Sequence, residues 1–492
     1  MTTARPADGR TDAGQRDDAR TDDGIRLGGA LGRAVASSAP GEPAPGASTL
    51  ASATVRVAGV DPIALFAVAA EADLEVALWL QPSEGTALVG VGRAWAFGGA
   101  GPDRFKAAES GFRDLIAAAR REGPHGPVLL GGLGYTGRVP AEGDPWAPFG
   151  PASMVVPALL YRAGPGESTL TGALLDGSPA EANALDRAGE RLLARAQQTQ
   201  PGPGAMVARP VHAQLTELAS QPGHDAWRRI VGMYAGAVGR GRIDKVVLAR
   251  RLDLRSPVEL DVTNALRRLA ASAPESTIYA FRRDGRTFLG ATPERLVRTE
   301  GRRFRTVALA GTIRRGADAR EDQELATQLL ASEKNREEQR IVTAAIRDLL
   351  TPVAETLEIS ARPTVMTLRF AQHLLTEISG TLPPAHGLLS VAALLHPTPA
   401  VGGEPRDQAL AMQDEHEGFE RGWYAGPIGW LDADGDGELC VALRCGIVDR
   451  THATLFAGCG IVADSDPDSE WEESRIKLRA VISALGIPGD AA

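Results

Sequence analysis

Lys245 and Glu294 are the first two residues whose setting suggests chemistry. Lys245 opens the run Lys245-Val-Val-Leu-Ala-Arg250, where a strand begins among apolar neighbours, and burial there lowers the pKa of an amine toward that of a usable base. Further on, Phe288-Leu-Gly-Ala-Thr-Pro-Glu294 sets a carboxylate directly after a turn. A base and an acid on separate strands can face each other across a cleft. In the helical run from Asp318 to Leu350, Glu338 is followed by Ile341, Val342, Ala345, Ile346 and Leu349 at helical spacing, which puts it on the apolar face, with Glu337 on the solvated side. Near the C-terminus Glu470, Glu473 and Lys477 share one helical stripe. Two inward carboxylates on different helices suit a hard cation such as Mg²⁺, which takes one or two protein carboxylates and shares the substrate's oxygens. Taken singly, each pair also reads as an ordinary helix salt bridge.

The lysines sharpen this selection. Only four of the 53 Lys and Arg residues are lysine: Lys106, Lys245, Lys334 and Lys477. Where surface charge is written almost entirely as arginine, the lysines that remain are enriched for work arginine cannot do, since arginine does not release its proton.

Other motifs carry no chemistry. Gly132-Leu-Gly134-Tyr-Thr-Gly137 fits a dinucleotide turn but runs into Arg-Val-Pro, so the helix N-terminus that would hold a pyrophosphate is missing. Asp432-Ala-Asp434-Gly-Asp436-Gly437 imitates an EF-hand loop, but Leu443 stands where the bidentate Glu is required, and a hairpin turn is expected instead. The eight histidines form no HExxH, and no Gly-x-Ser-x-Gly elbow occurs.

Elements must position these groups. Residues 1–48, rich in Ala, Gly, Pro, Asp and Arg, read as a disordered tail without a secretory signal. Residues 49–223 form an N-terminal part in which pieces such as Ala77–Leu80 and Pro127–Leu130 read as strands and Asp103–Arg121 as a helix; Gln197–Gly223 reads as a linker. The core, 224–487, opens on a helix capped by Asp225 with Trp227, Ile230, Val231, Tyr234 and Val238 on one face. No apolar run approaches the ~20 residues that span a bilayer. The net charge of −9, without a basic block, excludes nucleic acid as a partner. Cys440, Cys445 and Cys459, an odd number without CxxC spacing, read as buried thiols in a reducing, cytoplasmic setting.

In order along residues 225–487, the segments Lys-Val-Val-Leu-Ala-Arg, Gly-Ala-Thr-Pro-Glu-Arg-Leu, Ala308-Leu-Ala310-Gly311-Thr312, Arg369-Phe-Ala-Gln-His373-Leu, His396-Pro-Thr-Pro-Ala400-Val401, Gly422-Trp-Tyr424-Ala-Gly426 and Gly458-Cys-Gly-Ile-Val before Glu470-Trp-Glu-Glu473-Ser-Arg-Ile-Lys477 together resemble the chorismate-utilising enzymes. Their pattern is most similar to that of the isochorismate synthases. The resemblance implies an α+β fold, a large two-layer antiparallel β-sandwich with helices outside and one central site. It implies Lys245 as general base toward water and Glu294 as acid toward the departing hydroxyl. Mg²⁺ would sit on Glu338 and Glu473 with Glu470 beside them. Gly311, Thr312, His373, Ala400, Val401, Tyr424, Arg444, Gly458 and Lys477 would bind chorismate. A monomer without a glutaminase subunit is implied, feeding menaquinone or a catechol siderophore. Ala400, where amine-forming and pyruvate-releasing relatives carry Thr, favours simple hydroxyl transfer over a salicylate synthase. A catalytically dead chorismate-binding regulator is the other alternative, and the intact acidic and basic residues speak against it.

Overall fold

The computed structural model describes residues 26–37, 48–199, 216–367 and 371–486. Strand-forming runs such as Val246–Ala249 and Ile278–Phe281 are buried throughout, as continuous apolar runs in interior strands must be. They assemble into two sheets of thirteen and ten strands, antiparallel except where Leu50–Arg56 lies parallel to Arg120–Glu122. The two parts of the chain are interleaved. Val76–Gln81 pairs with Thr277–Arg283 in the larger sheet, and Val128–Leu133 pairs with Pro427–Asp432 in the smaller.

Between the sheets lies an aromatic core. Trp79, Phe281 and Phe288 of the larger sheet meet Leu129, Ile428 and Leu439 of the smaller around Trp146, Phe149 and Trp423. The Trp146 and Phe288 centroids lie 4.9 Å apart, edge to face, the arrangement ring quadrupoles favour. Helices Leu27–Ala36, Pro62–Glu71, Val262–Ser272 and Pro467–Ala484 cover the outer face of the larger sheet. The expected α+β sandwich with helices outside is the observed architecture.

Local expectations meet mixed outcomes. Asp432–Asp436 forms the hairpin turn between Pro427–Asp432 and Gly437–Val441, with the Asp432 carboxylate accepting from the Asp434 and Asp436 N–H groups. No helix follows Gly132–Gly137. The assignment of residues 1–48 to a disordered tail is wrong in part: Leu27–Ala36 is a helix. Its Leu27, Ala30, Leu31 and Ala34 are buried at helical spacing and it packs on Pro179–Gln198. A Cβ on Gly28 would lie 2.9 Å from Asp186 Oδ2, so the glycine allows close approach; composition hid a short amphipathic helix. Residues 1–25 lie outside the described residues. In the expected linker, Thr216–Gln221 is a strand paired with Lys245–Arg255. Gly223, not Asp225, caps helix His224–Gly239. The long run 318–350 is two helices, Ala319–Ala331 and Glu333–Leu350, broken at Ser332, whose hydroxyl accepts from Asn335 N–H. Among the described residues no helix is long and apolar enough to cross a membrane.

Candidate active site

Two of the places where the chain crosses from one sheet to the other deliver side chains to one cavity. After strand Arg286–Thr292 of the larger sheet, Pro293-Glu294 leads into Arg295–Glu300 of the smaller. After Gly437–Val441, the chain returns through Leu443-Arg444 to Cys445–Asp449. Arg444 sits at φ +50°, an unusual conformation for a side chain of that size, fixed by Ala291 N–H donating to its carbonyl at 3.2 Å. Glu294 is held by Val441 N–H, which donates to its carbonyl.

Lys245 enters from the first residue of its strand and donates to Glu338 Oε1 at 2.7 Å. Two positions of the neighbouring strand His452–Ile461 keep this region open. A Cβ on Gly460 would lie 2.7 Å from Lys245 Cε, and one on Gly458 would lie 2.9 Å from the Tyr424 hydroxyl. Gly311, at φ +68°, makes a bulge between Ala310 and Thr312 in strand Arg303–Arg314, which turns its N–H toward the Glu338 carboxylate. Thr312 pairs with His373 across the ladder, and their side chains hydrogen-bond at 3.0 Å. From helix Pro467–Ala484, Lys477 donates to Glu473 Oε1 at 2.6 Å and to the Gly458 carbonyl at 2.8 Å.

The cavity of about 200 Å³ mixes signs of charge at close range. Burial raises Glu294 to about 7, against the opposing pull of Lys245, Arg444 and Lys477, so near neutral pH it can hold a proton to donate. Burial, aided by Arg444 and Lys477, depresses His373 to about 4 and leaves it neutral at pH 7. Lys245 holds Glu338 below the usual carboxylate range, and Lys477 does the same for Glu473. Burial, then repulsion from Glu473, raises Glu470 to about 6.

The residues present fit a hard divalent cation. Glu470 takes the Ser465 hydroxyl on Oε1, while its buried Oε2 has no partner. Ligand atoms of Glu470, Glu473 and Cys459 lie within 4.8 Å of one another. Burial pushes the Cys459 thiol up, so it stays protonated and donates to the Glu470 carbonyl at 3.2 Å. The available donors are carboxylate oxygens, the set that suits Mg²⁺ rather than a thiophilic metal.

The structure brings all the sequence-derived candidates to this cavity: Lys245, Glu294, Gly311, Thr312, Glu338, His373, Ala400, Val401, Tyr424, Arg444, Gly458, Glu470, Glu473 and Lys477. Arg369 lies outside the described residues. Lys334, Asn335 and Phe456 line the cavity too. The rarity of lysine pointed to Lys334, but nothing in its spacing did; only Lys106 of the four lysines stands away, exposed. Glu338 lies at the edge of its helix's buried stripe, which runs through Gln339, Val342, Ile346 and Leu350. Exposed Glu337 pairs with Arg340.

Known proteins share this fold. The profile of the family described as chorismate binding enzyme matches residues 38–486. The salicylate biosynthesis isochorismate synthase of Pseudomonas aeruginosa is 37% identical over 453 residues, covering 89% of this chain and 91% of that protein. Isochorismate synthase MenF of Bacillus subtilis is 36% identical over 366 residues, covering 73% and 75%. The solved structure of MenF, the menaquinone-specific isochorismate synthase of Escherichia coli, superposes with TM-score 0.72 at 26% identity, covering 92% of this chain and 97% of that one. With its fold and nearly its whole length matched, the chain belongs to the family of chorismate binding enzymes.

Proposed function

We propose that the protein is an isochorismate synthase, a hydroxymutase that moves the chorismate hydroxyl from one ring carbon to another with Mg²⁺ as cofactor. The observation that carries this reading is the convergence of Lys245 and Glu294 on one cavity with the carboxylates of Glu338, Glu470 and Glu473. The names of the relatives support it. Bound Mg²⁺ would be held by Glu338 and Glu473, with Glu470 beside them, and would supply positive charge to the ring carboxylate of the substrate.

The remaining chemistry belongs to the side chains. Arg444, Lys477 and Lys334 offset the second negative charge of a dianionic substrate, and do most in a water-poor cavity. Lys245 in its neutral form takes a proton from water as the water oxygen bonds to the ring. The ring double bonds shift, the old carbon–oxygen bond breaks, and Glu294 gives its proton to the leaving hydroxyl, which departs as water. Acid and base each contribute roughly 10²–10⁴-fold. The methyl group of Ala400 offers no hydrogen bond to hold or align the product for loss of pyruvate. We place the enzyme in the cytoplasm as a monomer without a glutaminase subunit, feeding menaquinone or a catechol siderophore, a reading that rests on residue similarity.

The test is product analysis of purified protein given chorismate. Isochorismate should dominate with Mg²⁺ present, disappear after exhaustive chelation and return with added Mg²⁺. Mostly salicylate and pyruvate would overturn the reading in favour of a salicylate synthase, and binding without turnover would make the protein a regulator.

A further inference from the structure

Behind the active-site wall lies a second cavity of about 420 Å³, within the ~300–1,000 Å³ of ordinary small-molecule sites. It is lined by four arginines, and two of them are already neutralised: Arg138 pairs with Asp414, and Arg421 with Glu417. The third acid of the lining, Glu420, accepts from the Thr136 hydroxyl at the rim. Arg104 and Arg406 make no ion pair among the described residues. Arg104 is 5% exposed, donates to the carbonyls of Gly101, Gly134 and Tyr135, and keeps an unpartnered Nε. Arg406 donates to the carbonyls of Leu394 and Leu395. Each arginine also begins a helix, Arg104–Ala117 and Arg406–His416, and neither helix has a side-chain N-cap. Glu404 and Asp407 lie near enough to act on Arg406 electrostatically, whereas Arg104 is buried with no carboxylate acting on it; two guanidinium groups outside any ion pair and two helix N-termini without side-chain caps around one cavity are the elements of an anion site. The rest of the lining, Phe105, Ala393, Leu410 and Phe419 with two prolines, is apolar.

We propose that this cavity binds a small carboxylate with an apolar body, its carboxylate on Arg104 and Arg406, and that occupancy alters turnover in the catalytic cavity. The connection is short. His396-Pro397 lines the second cavity, and the same loop delivers Ala400 and Val401 to the first. Tyr135 and Arg421 of the second cavity both donate to the Val401 carbonyl, at 3.3 and 2.9 Å. Gln413 donates to the carbonyls of Val247 and Gly402, and Val247 lines the catalytic cavity. A ligand that pulls on Tyr135 or Arg421 therefore moves the wall beside Ala400.

Calorimetric titration of the full chain with benzoate, and separately with inorganic phosphate, tests this. Benzoate should bind the wild type, and Arg406→Gln and the cavity-filling Ala393→Phe should each weaken binding by about tenfold or more, the scale of one charged hydrogen bond. Both variants should keep a cooperative thermal transition. With chorismate as varied substrate, benzoate should act non-competitively, and Arg406→Gln should relieve that effect. Benzoate binding that ignores both substitutions, or purely competitive inhibition, would place it in the catalytic cavity and overturn the proposal. Phosphate binding without benzoate binding would overturn the carboxylate assignment, and absence of both would overturn the site.

Discussion

Lys245 and Glu294 define opposite protonation demands within one cavity, and each demand can be measured. Arginine at position 245 would keep the charge that pairs with Glu338 but could not accept a proton. Lys245→Arg should therefore lose about 10²-fold or more in kcat, nearly as much as Lys245→Ala; an arginine variant retaining a tenth of the rate in a coupled isochorismate assay would remove lysine as the base. Glu294 gives a pH signature. Its carboxyl is raised to about 7 by burial, so the free enzyme holds this proton below that pH and loses it above. Because the proton is the one donated, kcat/KM should fall on the alkaline side with a midpoint near 7, and Glu294→Gln should bind chorismate, turn it over slowly and lack this limb. A limb unchanged in Glu294→Gln would assign it to another group.

At the scale of elements, the site depends on where strands leave room. Gly460 lies in a regular strand with no positive φ, so alanine fits the backbone there, yet its Cβ would lie 2.7 Å from Lys245 Cε. Gly460→Ala should leave the unfolding midpoint within a few degrees of wild type while lowering kcat on the order of 10²-fold, the effect of displacing a reacting group by about 1 Å. If kcat were retained, Lys245 would not need its observed position. At Gly311, by contrast, alanine meets both a φ of +68° and the Asn335 side chain at 3.1 Å, so fold and function would suffer together. The helices contribute by phase. Helix Pro467–Ala484 presents Glu470, Glu473 and Lys477 along one stripe, which their spacing revealed, whereas the break at Ser332, which the sequence pattern ran through, starts a new helix and brings Lys334 and Asn335 to the cavity.

Over the whole molecule, interleaved sheets tie distant segments together, and even residues 27–36 belong to the packed structure. Leu31 is fully buried beneath the face of the larger sheet away from the catalytic cavity, so Leu31→Ala should destabilise by roughly 2–5 kcal/mol and leave kcat unchanged; denaturant unfolding and the coupled assay measure the two effects. A loss of kcat in parallel would tie this helix to the site. Strands such as those at Ala77–Leu80 and Pro127–Leu130, the hairpin at Asp432–Asp436 and the candidate side chains are legible in the sequence, because alternation, turn chemistry and helical spacing are local and a family's motif residues keep their order along the chain; the strand Thr216–Gln221 is not, since its segment reads as linker. Packing alone makes Pro293-Glu294 and Leu443-Arg444 crossings between sheets, pairs Lys245 with Glu338, and sets Arg104 and Arg406 on one cavity. Those facts join residues far apart in sequence, and register, burial and missing partners exist only once the sheets have closed on each other.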